Sequence, residues 1–127
     1  DDWDVASAGL AAAPGLPASH EAEQVLAERG IDASRHVSQP LTDELVRASS
    51  LLVVMTAAHR DQIKRQFADQ QLMQKVFLLR SFDPSVQGGD IDDPIGMSVD
   101  VYRGVRDAIE SALPGLRGFM DSLEFWK

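Results

Sequence analysis

The chain has 127 residues, no cysteine, and a formal net charge of −8 from 12 Lys+Arg against 20 Asp+Glu. That length suits one domain with a useful core. The acidic balance argues against a face that neutralises nucleic-acid phosphates or binds an anionic membrane. The lack of thiols removes disulfides, thiolate metal sites, iron–sulfur clusters and any cysteine nucleophile.

No apolar run approaches the ~18–20 residues of a membrane span, and no signal peptide opens the chain. The expectation is a soluble, cytoplasmic protein. The chain begins Asp1-Asp2-Trp3 without a Met, which reads as a fragment, a processed chain or an incomplete gene model.

Val5–Ser7 predicts a brief strand running into a loop over Ala11–Pro17, where Pro14, Gly15 and Pro17 forbid a helix. Ser19 is then a good helix N-cap, and Glu21 and Glu23 suit the positive end of the helix dipole. Ala22, Val25, Leu26 and Arg29 share one face, and Gly30 is a plausible stop. After the polar stretch Asp32–Pro40, Thr42 caps a second short helix.

Leu51–Met55 is a continuous apolar run, the signature of a strand buried on both faces of a parallel sheet. Thr56 ends it, and a helix is expected from about His59 to Phe67. Val76–Leu79 is a second run of the same kind, followed by a long Pro/Gly/Asp loop, Asp83–Gly96. Ser98 caps a last helix with Val99, Tyr102, Val105, Ile109, Ala112 and Leu113 on one face, which Pro114-Gly115 should kink or end, and Leu116, Phe119, Met120 and Leu123 suggest a helical remnant beyond. Strands alternating with helices make an α/β layered fold, whose ligands bind beyond the carboxyl ends of the strands. The loops after Ser7 and Met55, with Asp83–Gly96, leave those ends.

Asp90, Asp92 and Asp93 put three carboxylates into four positions of that last loop. They suit a hard-cation site, a general acid stiffened by Pro94, or simply a polar loop before a helix. His20, His36 and His59 lack paired metal-ligand spacing. Ser7 has no nucleophile-elbow motif around it, and no glycine-rich phosphate loop is present.

Several stretches, in collinear order, resemble the low-molecular-weight protein tyrosine phosphatases. They are Ser7-Ala8-Gly9-Leu10, Gly15–Ser19, Arg29–Asp32, Ser34–Thr42, Met55-Thr56 with His59, Lys75–Leu79, and Asp90–Gly96 with Ser98 and Tyr102. The likeness is greatest to the bacterial branch, whose members act on phosphotyrosine or phosphoarginine. It spans Val5 to Leu116, leaving a tail over 118–127 whose Phe119, Phe125 and Trp126 could pack on the core or on another chain.

The resemblance implies a three-layer, flavodoxin-like parallel sheet of strand order 2-1-3-4 in a single domain. It implies a cysteinyl-phosphate mechanism with Asp93 as general acid/base. Ser7 and His36 would support the phosphate loop, and Pro94 and Ile95 would line the substrate groove. It implies no cofactor and no metal; the partner is a phosphorylated protein substrate, and the oligomeric state is left open.

The departure is the nucleophile. The family's C-x5-R-[ST] loop is absent, and with it the first strand and first helix, roughly 30 residues of a strand–loop–helix. The expectation is a chain lacking that segment before Asp1, inactive as given, with backbone groups unpaired at an exposed sheet edge. Three alternatives stand beside it. One is a non-catalytic binding or regulatory domain. Another is the arsenate reductase branch, disfavoured because that chemistry needs further cysteines. The third is a carboxylate metal site at Asp90–Asp93.

Overall fold

The computed structural model describes residues 3–10, 13–67, 72–86 and 88–124. The elements are α1 (His20–Ala27), α2 (Asp43–Ala48), β1 (Leu52–Val54), α3 (Ala57–Gln66), β2 (Val76–Leu78) and α4 (Val99–Glu124). The short 3-10 turns Leu72–Gln74 and Leu79–Phe82 flank β2.

β1 and β2 pair in parallel, Leu52 with Val76, Val53 with Phe77 and Val54 with Leu78. Side chains alternate across a strand, so this ribbon feeds two cores. Leu52, Val54, Val76 and Leu78 join Val46 of α2, Ile63 of α3, Phe67 and Leu72 on one face. Val53 and Met55 meet Leu79, Ile91 and the inner face of α4, including Ala112, Ile109 and Leu116, on the other. A sheet covered on both faces is the layered α/β arrangement that the buried runs imply.

Val5–Ser7 forms no strand: residues 3–8 are irregular, and Val5 is 83% exposed. A strand needs a neighbouring backbone to fill its hydrogen bonds, and the first ladder contact comes only at Gly9. There Gly9 N–H donates to Gln39 O and Leu41 N–H to Gly9 O, both 2.9 Å, in a single parallel bridge. Part of the expected 11–17 loop lies outside the described residues. Its remainder is zipped to the 37–38 segment by Gly15 N–H to Ser38 O and Ser38 N–H to Leu16 O, each 2.7 Å.

The helix starts follow the side-chain chemistry. Ser19 Oγ accepts from Ala22 N–H at 3.2 Å and Thr42 Oγ1 from Leu45 N–H at 3.2 Å. Thr56 does more than end β1. Its Oγ1 accepts from His59 N–H at 3.1 Å, so α3 starts at Ala57, two residues before the expected His59. Lys75 closes α2 from a distance, its ammonium donating to Val46 O at 2.6 Å and Ser49 O at 3.0 Å.

α4 does not end at Pro114 but runs on over the expected remnant to Glu124, and Leu113, expected on the inner face, is exposed. An internal proline costs about 3 kcal/mol in an isolated helix, but packing on both sides of it holds this one. Ala112 is fully buried, and Phe119 stacks with Phe77 and Phe82 at centroid distances of 5.1 and 5.3 Å. Between them Gly115 lies so close to the turn after β2 that a Cβ there would sit 2.0 Å from the Phe82 carbonyl oxygen. The aromatics of the tail divide accordingly: Phe119 packs on the core, while Phe125 and Trp126 lie outside the described residues.

α1 is fastened to α4 through its carboxyl end, where helices leave four carbonyls without partners. Gln24 O accepts from Glu28 N–H (3.3 Å), Leu26 O from Arg29 N–H (2.9 Å) and Ala27 O from Gly30 N–H (3.0 Å). Val25 O takes its bond from the buried Arg106 Nη1 of α4, at 2.9 Å. The same nitrogen donates to Glu28 Oε1, and Arg103 Nη2 to Glu28 Oε2, both at 2.6 Å. Gly30, with φ +73°, supplies the left-handed turn.

Two outcomes are expected. Gly115→Ala should destabilise the fold by about 1–3 kcal/mol, because the backbone of Phe82 must move. Gly104→Ala, in the same helix with open space around it, should stabilise by about 0.5–1 kcal/mol. Chemical denaturation measures both, and equal effects would refute the close approach. The second concerns pH. Hydrogen bonds from Arg103 first, then Arg106, lower the Glu28 carboxyl from 4.5 to about 2. A depressed carboxyl stabilises fully above its unfolded value and loses that contribution as pH falls through the folded one. The gap in thermal midpoint between the parent and Glu28→Gln should therefore close between about pH 4.5 and 2. A gap constant across that window would rule the contribution out.

Candidate active site

The end of β1, the start of α3 and the Asp loop come together. Ile91 N–H donates to Met55 O at 2.8 Å, and the Ile91 side chain, 5% exposed, is buried with Leu79 and Ala112. Asp90 Oδ1 accepts from Ala57 N–H, the first of α3, at 2.9 Å. Arg80, in the turn after β2, donates from Nη1 to Asp90 O at 3.0 Å. Arg80 O in turn accepts from Asp83 N–H at 3.2 Å and Gly88 N–H at 3.1 Å. Asp83 is buried at the start of the loop. Hydrogen bonds from the Ser85 hydroxyl and amide hold its carboxyl below the usual carboxylate range.

From that anchored base, residues 92–97 rise to the surface. Asp93 is exposed, and its Oδ1 accepts from Ile95 N–H at 3.0 Å. This local Asx turn fixes the side chain relative to its own backbone. Pro94 O accepts from Met97 N–H at 2.8 Å, and Gly96 takes φ +78°. Ile95, 73% exposed, and Met97, 57% exposed, present apolar side chains to the surface from the same loop.

The other expected site residues lie elsewhere. Ser7 is exposed, and its carbonyl accepts from Gln39 Nε2 at 2.9 Å. His36 is exposed, its N–H donating to Ala33 O at 3.1 Å. The Ser7 contact is to Gln39 and the His36 contact closes a local turn, and neither is to the Asp loop. Thus two of the three expected loops meet, and the one after Ser7 is tied to Gln39–Leu41 instead. His20 opens α1, and His59 is half-buried in the first turn of α3. Among the described residues, no three His, Asp or Glu side chains converge to hold a metal ion. Among the same residues, no helix is long and apolar enough to cross a membrane.

A parallel ribbon covered on both faces, with a carboxylate loop anchored at the carboxyl end of one strand, is an α/β layered arrangement that places that loop where such sheets bind ligands. The family model described as "Low molecular weight phosphotyrosine protein phosphatase" matches residues 1–124. A protein-arginine-phosphatase of Bacillus subtilis is 39% identical over 109 residues, 86% of this chain and 70% of that protein. A probable low molecular weight protein-tyrosine-phosphatase, EpsP of Ralstonia solanacearum, is 35% identical over 93% of this chain and 72% of its own length. Among solved structures, the YwlE arginine phosphatase from Geobacillus stearothermophilus superposes with a TM-score of 0.84 at 35% identity, over 96% of this chain and 77% of that one. The chain belongs to the low-molecular-weight protein tyrosine phosphatase family.

Ile91→Ala should cost about 2–5 kcal/mol, as buried large-to-small changes do. It should also raise amide hydrogen exchange over 92–97 more than in β2. A uniform rise across the molecule would mean that Ile91 does not anchor the loop.

Proposed function

We propose that this chain bears the general acid of a protein phosphatase that hydrolyses phosphotyrosine or phosphoarginine. In this reading a cysteine thiolate attacks phosphorus and the bond to the leaving group breaks. Asp93 gives its proton to the departing oxygen or nitrogen. The resulting carboxylate then takes a proton from water as that water attacks the cysteinyl phosphate, releasing phosphate and the thiolate. A phenolate or guanidine leaving group needs such a proton, and a carboxyl on an exposed loop can supply it. Ser7 and His36 would support the phosphate loop. Pro94 and the exposed Ile95 would flank the substrate.

The observation that carries this reading is the anchored Asp93-Pro94 loop at the carboxyl end of β1, in a chain of this family. The chain has no cysteine. The nucleophile and the loop arginine then belong to a strand–loop–helix segment that this sequence does not contain. That segment would lie beside β1, and the 127 residues alone are inactive. Similarity supports both substrates, since relatives named for arginine and for tyrosine match at 39% and 35% identity. The missing thiol favours one second reading, a non-catalytic domain that binds phosphorylated proteins.

Two steps test this. The chain alone should show no turnover of an aryl phosphate or of a phosphoarginine peptide, and the chain joined to a C-x5-R-[ST] strand–loop–helix should turn over at least one of them. In the joined protein Asp93→Asn should lower kcat about 10²–10⁴-fold. Unchanged turnover removes Asp93 from the mechanism. A joined protein that folds and binds phosphopeptide without turnover favours the binding domain.

A further inference from the structure

Asp90 and Arg80 were not singled out as a pair by any motif, yet the Asp93 loop departs from the point where they meet. We infer that they are positioning residues for the general acid, an inference that rests on the assignment of Asp93 above. Three ties converge on two consecutive residues. Ala57 N–H reaches Asp90 Oδ1, Arg80 Nη1 reaches Asp90 O, and Ile91 N–H reaches Met55 O, at 2.9, 3.0 and 2.8 Å. They come from three different elements, the start of α3, the turn after β2 and the end of β1. Asp93 follows three residues later, so its Cα stays within about 11 Å of that of Asp90 even if the chain is fully extended. The Asx turn at Asp93 and the Pro94–Met97 bond narrow its range further.

A cap serving α3 alone is the plainer role for Asp90. Two observations go beyond it. α3 already has its cap in Thr56, whose Oγ1 accepts from His59 N–H. And Arg80 binds the backbone carbonyl of Asp90, a contact that does nothing for α3 but fixes the peptide leading into the loop. The carboxylate also gains from the positive end of the α3 dipole, so the tie is charge-assisted on both sides of the residue. Asp90 and Arg80 thus join the first turn of α3 to the turn after β2 across the base of the acid loop.

The test has two arms. In the 127-residue chain, Asp90→Ala and Arg80→Gln should each raise amide exchange at Ile91, Ile95 and Met97 about tenfold, with the β2 amides unchanged. Asp90→Asn, which keeps an oxygen acceptor for Ala57 N–H, should stay close to the parent. Exchange confined to α3 would leave Asp90 an ordinary cap and overturn the inference. In the protein joined to its phosphate loop, turnover of an aryl phosphate with a basic leaving group should fall about tenfold more in Asp90→Ala than turnover of one with an acidic leaving group. A structural loss would lower both equally, and that result also overturns the inference. The two assignments separate in Asp93→Asn. If that variant loses activity while Asp90→Ala does not, positioning fails alone. If Asp93→Asn keeps full activity, the acid assignment itself fails, and the positioning role with it.

Discussion

Three residue pairs of parallel ladder, Leu52–Val54 against Val76–Leu78, carry both cores of this molecule. The strict alternation of a strand sends Leu52 and Val54 one way and Val53 the other. A one-residue slip of β1 would therefore exchange the partners of α3 and α4 at once. The last carbonyl of the same run, that of Met55, holds the Asp loop. Core packing and the placement of the Asp93 loop depend on one register.

Around that ladder the helices are fastened by polar ties as well as by apolar area. Arg106 is buried, yet its guanidinium is spent on Val25 O, Glu28 and Asp107, so its charge is compensated where it lies. Burying an arginine without such partners would cost several kcal/mol. Here the guanidinium completes the end of α1 and orients α1 against α4. The surface bridges around it, Arg29 with Asp107 and Glu110, are half exposed and contribute little on their own.

What the sequence could reveal was set by distance along the chain. Ser19 and Thr42 were readable as caps because each oxygen meets an amide three residues on. Thr56 obeys the same rule, but its place at the end of an apolar run hid it. Asp90 capping Ala57 and Lys75 closing α2 span 33 and up to 29 residues, beyond any local pattern. Whether Pro114 ends the helix was not legible locally, because helix propensity is a local quantity, while Ala112 and Phe119 hold the helix through tertiary contacts. Val5–Ser7 had the composition of a strand without a neighbour to pair with. The Asp93 loop was legible from its carboxylates and Pro94, whereas its anchors at Arg80 and Met55 were not. The supporting roles of Ser7 and His36 entered only through resemblance; Ser7 meets Gln39, and His36 bonds Ala33 in a local turn.

Lys75 has a consequence for how this fold can vary in length. Its ammonium grips Ser49 O at the end of α2, while its own carbonyl accepts from Leu52 N–H at 2.8 Å to begin the ladder. The linker between α2 and β1 is therefore clamped at both ends by one residue of another segment. An inserted or deleted residue there would have to break one grip or shift the register. Insertions should be better tolerated between Val86 and Gly88, because Asp83 N–H and Gly88 N–H both donate to Arg80 O and so keep the two ends of that connection together.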